Sequence, residues 1–467
     1  MRLSGMFTLL LACALAFSAV AAEPAPQFQV PVTYYKLPNG LRVSLSRDAT
    51  APLAVVAVYY NIGFRIEPKD RTGFAHLFEH MMFQGSGNLG KMELIKLVES
   101  NGGVLNGSTR FDFTNYFEVV PANKLETFLW AEADRMKGLA ITQDNLTNQQ
   151  GVVGNEVKVN VLNQPYGGFP WLDMPQFANK NWYNAHNFYG DLKDIEAATL
   201  DEVKAFFKTF YAPNNAALAV VGDFDEAQTK QWIEKYFGGI AAQTLPAKPD
   251  LTEPKQEKEQ TFNKIDKLAN KPALAFAYHL PERGTPEHYA AVLLDEILLQ
   301  GSDSLLNLEL VKRRGFTDSV EGGINLLGNA FDYNGPMLWM ANLIHDAAVK
   351  PDDILAAADT VIAEVQAAPV SQALLDRALV KFRSGFYSEL TQYGGVGRAN
   401  YLASLALFND NPGLINNIEP NLRKVTPALV QSVAKEYFRK SNRTVLTIQP
   451  GADQPSKSKA EQKGEPR

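Results

Sequence analysis

The pattern of apolar and polar residues in the first half of the chain predicts a mixture of strands and helices. Residues 53–60 are rich in β-branched and aromatic side chains and predict a buried strand. Asn39-Gly40, between two extended segments, predicts a hairpin turn. Thr199 and Glu202 form a capping box at the start of a helix over 200–210. Further strands are expected at 102–109, 113–120 and 215–221, and further helices at 72–83, 92–99, 123–136 and 145–162.

These segregated strands and helices predict an α+β fold. Residues 241–260 are rich in proline and charge and predict a linker. We therefore expect one folded domain at 23–240 and a second at 261–450, each a mainly antiparallel sheet packed with helices. The polar residues 451–467 predict a disordered tail.

The two expected domains align with each other in two places. Residues 199–221 align without gaps with 426–448, and residues 75–86 align with 291–302. Two amphipathic helices could share one such spacing by chance, but two matches in the same order favour an internal duplication.

The first 22 residues predict a secretory signal peptide. A basic start at Arg2 precedes an apolar run from Phe7 to Val20, and cleavage is expected near Ala22. A retained membrane anchor is one alternative, but the run is short for a bilayer span. Lipoprotein cleavage at Cys13, the single cysteine, is a second alternative, less favoured because the apolar run continues beyond it. We expect an exported, periplasmic protein without disulfides.

The composition is that of a soluble globular protein, with 46% hydrophobic and 21% charged residues. The formal net charge of −6 argues against a nucleic-acid partner, because no basic surplus is available for phosphates. No long apolar run follows the signal peptide, so we expect no stable membrane span in the mature chain.

Gly85, Gly87 and Gly90 match the spacing G-x-G-x-x-G of dinucleotide-binding loops. That fingerprint must follow a strand and open a helix. Here an expected helix precedes it, so the glycines predict a loop that ends that helix.

The chemistry of the chain centres on residues 76–80, His-Leu-Phe-Glu-His. His76 and His80 lie one helical turn apart, so both imidazoles can reach one metal ion, and Glu79 can take a proton from a bound water. The alternative is a pair of ordinary surface histidines. It is disfavoured because the chain has only six histidines and because apolar neighbours predict a buried helix, where these groups need a partner.

The second domain has lost these groups. The residues aligned with His76, Glu79 and His80 are Val292, Asp295 and Glu296. Packing alone would not require this asymmetry, so we infer one catalytic domain and one supporting domain.

A hydrolytic zinc site takes three protein ligands and leaves one position open. Glu156 is a candidate third ligand, since Val152, Val153 and Val159 are expected to place it on an apolar helix face, where an unpaired carboxylate is costly. Spacing alone leaves other candidates open, namely Glu99, Glu118, Glu132, Asp134 and His186.

Together these motifs resemble the pitrilysin/insulinase family of zinc metallopeptidases, in particular its short bacterial members related to mitochondrial processing peptidase. The resemblance covers nearly the whole mature chain, and the inverted motif H-x-x-E-H is its most specific part. The matching stretches are 73–81, 102–109, 132–136, 153–156, 165–167 and 211–215.

The resemblance implies a zinc endopeptidase acting on peptides or short unfolded polypeptides. His76, His80 and Glu156 would bind one Zn²⁺ per chain, and Glu79 would be the catalytic base that activates the zinc-bound water. The two domains would form half of a chamber that encloses the peptide.

The resemblance also implies that an extended peptide adds to a strand edge by β-augmentation. In this chain the corresponding strand contains Asn106 and Gly107, which would contact the substrate. A tight turn at this Asn-Gly pair is the alternative.

Two departures from the family pattern bear on the site. A glutamate two turns before the third ligand is replaced by Gln149, which would tune the metal site from outside its coordination shell. An Arg and a Tyr of the later half align with Glu309 and Phe316, although a shift of one turn would offer Arg313 or Arg314.

The absence of the Arg and Tyr pair predicts that the chain works with a partner subunit. A related subunit that supplies the Arg and Tyr would form a heterodimer, and a second copy would form a homodimer. The competing function is a non-catalytic scaffold or peptide-binding subunit. The retained Glu79 favours the enzyme, because a scaffold has no need of a base.

Overall fold

A computed structural model describes residues 28–69 and 71–451. The expected signal peptide at 1–22, with Cys13, and the tail from residue 452 lie outside the described residues. The chain divides into a unit of residues 1–30 and a unit of residues 31–467. In the first unit the described residues 28–30 form neither helix nor strand.

Six strands of the first half form one sheet. They are β1 (Thr33–Lys36), β2 (Arg42–Arg47), β3 (Leu53–Tyr60), β4 (Val104–Thr109), β5 (Thr114–Pro121) and β6 (Ala216–Gly222). Their order is β1-β2-β6-β3-β5-β4, and every neighbouring pair is antiparallel except β2 and β6. β4 is therefore an outer strand with one unpaired edge.

Nine α-helices accompany this sheet among the described residues. They are α1 (Phe74–Met81), α2 (Glu93–Ser100), α3 (Leu125–Lys137), α4 (Gln143–Val157), α5 (Asp173–Ala178), α6 (Trp182–Ala185), α7 (Leu192–Ala197), α8 (Leu200–Phe210) and α9 (Glu226–Phe237). The helix expected at 145–162 thus ends at Val157 and continues as a π-helical segment, Lys158–Leu162.

The second half repeats this design. Its strands are β7 (Gln260–Asp266), β8 (Ala273–His279), β9 (Glu321–Ile324), β10 (Leu338–Ile344) and β11 (Arg443–Pro450). Their order, β7-β11-β8-β10-β9, repeats β2-β6-β3-β5-β4, and β7 and β11 are the parallel pair. The expected α+β fold with two homologous, mainly antiparallel sheets is confirmed.

The helices of the second half are α10 to α15. They are α10 (Pro286–Leu298), α11 (Pro351–Ala367), α12 (Gln372–Thr391), α13 (Val396–Asn409), α14 (Ile418–Leu422) and α15 (Pro427–Tyr437), with a π-helical segment at Asn307–Arg313. Among the described residues no single helix has the length and apolarity to cross a membrane; the bent pair Pro351–Ala367 and Gln372–Gly394 passes that test only when taken together.

Each half covers part of the other half's sheet. Helix α13 packs against β3 and β6 of the first sheet. Phe169 and Met174 of the first half pack in turn on the second sheet, beside Ala275 and Leu446. The core of the second sheet therefore draws apolar side chains from both halves, and α13 lies on the first sheet, so buried surface couples the halves.

The local turn predictions agree with the structure. Gly40 has φ 88° in the β1–β2 hairpin, and Thr199 and Glu202 exchange the hydrogen bonds of a capping box at the start of α8. The glycine-rich loop 85–90 follows α1, as predicted, and does not open a helix from a strand.

Candidate metal centre

Helix α1 begins at a glycine. Gly73 has φ 84°, a left-handed conformation that glycine adopts without strain. The buried Glu67 carboxylate accepts hydrogen bonds from the backbone N–H groups of Gly73 (2.9 Å) and Ala75 (2.6 Å). A negative charge at a helix N-terminus is stabilising, so Glu67 caps the helix from outside it.

Two helices bring three candidate ligands together. Glu156 of α4 lies with Oε1 3.5 Å from His76 Nε2 and with Oε2 3.0 Å from His80 Nε2. One ligand atom from each residue lies within 4.8 Å of the other two, and no other such group of three occurs within 28–69 and 71–451. The two α1 histidines and the α4 carboxylate predicted from the sequence therefore converge.

This donor set fits a catalytic zinc ion. Two imidazoles and one carboxylate are the ligands found in hydrolytic sites that keep one position open. Hydrogen bonds from His76 and then His80 hold the pKa of Glu156 well below its usual range, while burial acts in the opposite direction. The carboxylate is therefore ionised, as a metal ligand must be.

The burial of the site differs from the expectation in two respects. His76 is buried, but His80 and Glu79 are partly exposed, so the helix is not uniformly buried. Val152 and Val159 are exposed (40% and 56%), and of the three valines invoked for Glu156 only Val153 is buried. The expected apolar face around Glu156 was therefore wrong, because Val152 and Val159 point to solvent while the Glu156 carboxylate meets the histidines.

Glu79 has a partner that the sequence analysis missed. Thr109 at the end of β4 donates a hydrogen bond from Oγ1 to Glu79 Oε2 at 2.6 Å. The Glu79 carboxylate is thereby tied to the outer strand of the first sheet. The sequence signal was present, since Thr109 lies in a matching stretch, but its role depends on a tertiary contact.

Asn106 and Gly107 lie in the middle of this strand. The Gly107 N–H donates to Asn106 Oδ1 at 2.9 Å, and the strand continues through both residues rather than turning. Gln149 of α4 is buried, and its side-chain amide donates to Asn148 Oδ1 at 2.8 Å.

The other candidate ligands belong to different structures. Glu118 and Glu132 both pair with the buried Arg135. Asp134 accepts hydrogen bonds from Ser86 and Asn88 in the glycine-rich loop. His186 lies beside Glu67, with Nε2 3.7 Å from Oε2, and Glu99 lies exposed on α2.

The equivalent place in the second half contains a lysine. Asp295 of α10 accepts hydrogen bonds from Trp339 Nε1 (2.6 Å) and Gln300 Nε2 (3.0 Å). Lys381 of α12 donates to the Glu296 carbonyl at 2.8 Å, with its ammonium 4.0 Å from the Glu296 carboxylate. Farther along, the buried Glu309 pairs with both Arg313 and Arg314, and Phe316 lies just beyond them.

Comparison with known proteins agrees with this arrangement. Residues 42–178 match the family model described as Insulinase (Peptidase family M16), and residues 197–381 match the Peptidase M16 inactive domain. Zinc protease PqqE of Helicobacter pylori is 28% identical over 424 residues, which cover 89% of this chain and 92% of the relative.

Solved structures share the fold. A protease from Helicobacter pylori matches 91% of this chain and 100% of its own, with a TM-score of 0.82 and 23% identity. The periplasmic protease PqqL from Escherichia coli matches 90% of this chain over 48% of its own, with a TM-score of 0.70 and 16% identity. With its duplicated α+β halves and two family models of this kind matched along it, the chain belongs to the M16 peptidase family, that of insulinase.

Proposed function

We propose that the chain is a zinc-dependent endopeptidase that hydrolyses peptides or short unfolded polypeptides. The observation that carries the proposal is the convergence of His76, His80 and Glu156 beside Glu79. The name of its relative PqqE, a zinc protease, supports both the metal and the reaction. One zinc ion per chain is expected, because the second half has Val292 and Glu296 at the positions aligned with His76 and His80.

The residues of the site have separate roles in hydrolysis. Zinc, when held by His76, His80 and Glu156, supplies Lewis-acid chemistry that acidifies water and polarises a peptide carbonyl. Glu79 accepts the proton of the attacking water and passes it to the leaving amine. Because Thr109 donates to Oε2 of Glu79, Oε1 remains available for that proton.

The substrate-binding surface in this proposal is the free edge of β4. An extended peptide would pair with it through main-chain hydrogen bonds. The Gly107 N–H, now bonded to Asn106 Oδ1, would be released to a substrate carbonyl. The Asn106 side chain, released from Gly107, would then contact the same peptide. Gln149 is proposed to modify the properties of the metal site without binding the metal.

We assign catalysis to the domain at 23–240 and support to the domain at 261–450, joined by the segment 241–260. We also propose export to the periplasm after cleavage near Ala22. PqqL, one structural neighbour, is a periplasmic protease.

A second subunit is part of the proposal. Arg313 and Arg314 both pair with Glu309, so a substrate would have to compete with this carboxylate for them. This chain also matches only 48% of PqqL, which supports a two-chain assembly, either with a related subunit or as a homodimer. Full activity of the purified chain as a monomer would contradict this part.

The decisive experiment compares the wild type with Glu79→Gln, using metal analysis and peptide hydrolysis. We expect zinc to be retained and hydrolysis to fall by about 10²–10⁴-fold, because only the base is lost. Glu99→Gln, on the exposed face of α2, is the matched control. Absence of zinc, with no difference between the proteins, would favour the scaffold function, which the inactive-domain match at 197–381 would then suit.

A further inference from the structure

Corresponding loops of the two halves meet each other. The turn 110–113 joins β4 to β5, and the segment 325–337 joins β9 to β10, the strands that take the same places in the second sheet. Asp112 in the turn accepts a hydrogen bond from the Asn334 backbone N–H at 2.7 Å. The second half therefore touches the first half close in sequence to Thr109, which binds the candidate base.

Arg65 lies at this junction and binds both loops. Its side chain is almost fully buried, with Nε 3.6 Å from Asp112 Oδ1, and its Nη2 donates a hydrogen bond to the Pro336 carbonyl. Gly335 leaves the space that the guanidinium fills, because a Cβ at this position would lie 1.9 Å from Arg65 Nη1. A buried charge is costly unless it is paired and hydrogen-bonded. Arg65, Asp112, Asn334 and Pro336 therefore form a fixed contact between the halves, which we call the Arg65 cluster.

The backbone around Arg65 holds the same turn. The N–H groups of Phe64 and Arg65 donate to the carbonyls of Arg110 (3.1 Å) and Phe111 (3.0 Å). The Arg65 guanidinium also lies over the Phe111 ring, 4.9 Å from its centroid, where a cation is attracted by the ring. A little farther along the chain, Glu67 caps α1. This short segment thus contacts both the turn after β4 and the start of α1.

We infer that Arg65 is a positioning residue, through which the second half orders the candidate active site of the first half. This inference rests on the proposed function and deepens it. The contacts run from Pro336 through Arg65 and the turn to Thr109, whose hydroxyl donates to Glu79 at 2.6 Å. A base contributes fully to the rate only when it is held in the right place beside the reacting atoms. The second half therefore supports hydrolysis by placing the base of the first half.

Gly335→Ala tests this role from the second half, in the full mature chain. The added Cβ must displace the Arg65 guanidinium, while every charge and every residue of the first half stays the same. We expect zinc content to be unchanged and kcat for peptide hydrolysis to fall by up to about tenfold, because a displaced base keeps part of its contribution. Gly385→Ala, in α12, is the matched control, since a Cβ there would meet none of the described neighbours within 4 Å. Its kcat should equal that of the wild type.

Arg65→Met is the second variant, because it removes the guanidinium itself. It should lower kcat in the same way, and it should also lower stability, since Asp112 loses its counter-charge. Arg398→Met is its control, because Arg398 of α13 forms another ion pair between the halves, with Nη2 2.9 Å from Asp48 Oδ2. This control should lower stability and leave kcat unchanged. All rates are compared at a temperature where the proteins are folded, and Gly335→Ala decides the question if Arg65→Met does not fold.

Two further measurements separate positioning from general stability. Added to Thr109→Val, Gly335→Ala should cause no further loss of kcat, because both changes act through one hydrogen bond, whereas independent effects would add. In the metal-free proteins, hydrogen exchange at the N–H groups of Phe64, Arg65 and Arg110 should be faster in Gly335→Ala than in wild type, because the turn has lost the cluster that orders it.

Wild-type kcat in both Gly335→Ala and Arg65→Met would overturn the inference and leave the proposed peptidase intact. An equal loss of kcat in Arg398→Met, a full further loss in the Thr109→Val background, or unchanged hydrogen exchange would also overturn it. A wild-type protein that binds no zinc and hydrolyses no peptide would overturn the proposed function and this inference together, so the two failures are distinguishable.

Discussion

Thr109 Oγ1 donates a 2.6 Å hydrogen bond to Glu79 Oε2, which joins the outer strand of the first sheet to the candidate base on α1. The strand that would hold a substrate and the carboxylate that would act on it are therefore in direct contact. A peptide added to β4 would lie at a fixed distance from Glu79, and fixed placement of reacting groups contributes strongly to rate.

Replacing Thr109 by valine tests this contact. The change keeps the shape of the side chain and removes the donor, so Glu79 loses the bond that orients it. We expect kcat to fall by about tenfold, less than the loss on removing a base outright, with zinc content unchanged. Peptide hydrolysis and metal analysis check the two expectations.

Ser108→Ala is the control for the same strand, since the Ser108 hydroxyl bonds to Asn115 and not to Glu79. It should retain nearly full activity. Loss of zinc in Thr109→Val would show instead that the threonine supports the fold of the site, and unchanged kcat would show that the bond does not orient the base.

The ligand set illustrates how far a pattern predicts a site. His76 and His80 followed from helical spacing, because their relation is local. Glu156 lies beside both histidines, but the reason given for it was wrong, since Val152 and Val159 are exposed. Its position is set by the packing of α4 against α1, and periodicity within one helix does not reveal which face meets another helix.

The groups that support the site could not be predicted either, because their contacts also depend on the packing of separate elements. Glu67 lies before α1 and Tyr189 after α6, and the backbone path creates their contacts with the start of α1 and with the His76 ring. The left-handed glycines at 73 and 190 were the local signal of a close approach, but glycine positions do not name the partner. The duplication was visible because it repeats along the chain, and sheet order confirms it.

Removal of the metal should be reversible and pH-dependent. A chelator is expected to abolish hydrolysis, and added zinc to restore it. Because metal binding releases protons from the ligands, zinc affinity should be lower at acidic pH than at neutral pH. Zinc retention after dialysis at pH 5 and pH 8 is the measurement. His80→Ala should lose zinc at both values, and retention of zinc by this variant would exclude His80 as a ligand.

A buried ion triad supports the first domain. Arg135 pairs with Glu132 and lies 3.4 Å from Glu118, and all three side chains are almost fully buried. Burial and then the neighbouring Glu132 raise the pKa of Glu118 well above its usual range. Arg135→Met should therefore lower the free energy of unfolding by about 3–5 kcal/mol, because it leaves buried carboxylates without a counter-charge. Denaturant unfolding checks this value, with the exposed Lys137→Met on the same helix as the control; equal stability of the two variants would refute it.

The second half contains a lysine where the first half has a candidate metal ligand. Glu156 of α4 approaches His80 of α1, and Lys381 of α12 approaches Glu296, the aligned residue of α10. The ammonium is a fixed cation beside Asp295 and Glu296, which stand where the first half has Glu79 and His80. This is consistent with a supporting role for the second half, since a lysine offers positive charge but no open coordination position.

These carboxylates should make stability depend on pH. Burial raises the pKa of Asp295 to about 7, and burial with the charge of Asp295 raises that of Glu296 to about 7. Below about pH 4 the folded and unfolded states both hold these protons, and between about pH 4 and 7 only the folded state does. Stability contributed by the pair is therefore present at low pH and lost as pH rises towards 7, by about 1.4 kcal/mol per pH unit for each such proton.

Glu296→Gln isolates this effect. The amide resembles the protonated carboxyl group, so the variant should match the metal-free wild type near pH 4 and become more stable than it as pH rises to 8. Thermal unfolding of the metal-free proteins across this range is the measurement. Glu287→Gln, in the first turn of the same helix, should follow the wild type at every pH. A constant difference between Glu296→Gln and wild type from pH 4 to 8 would mean that Glu296 does not change its protonation on folding.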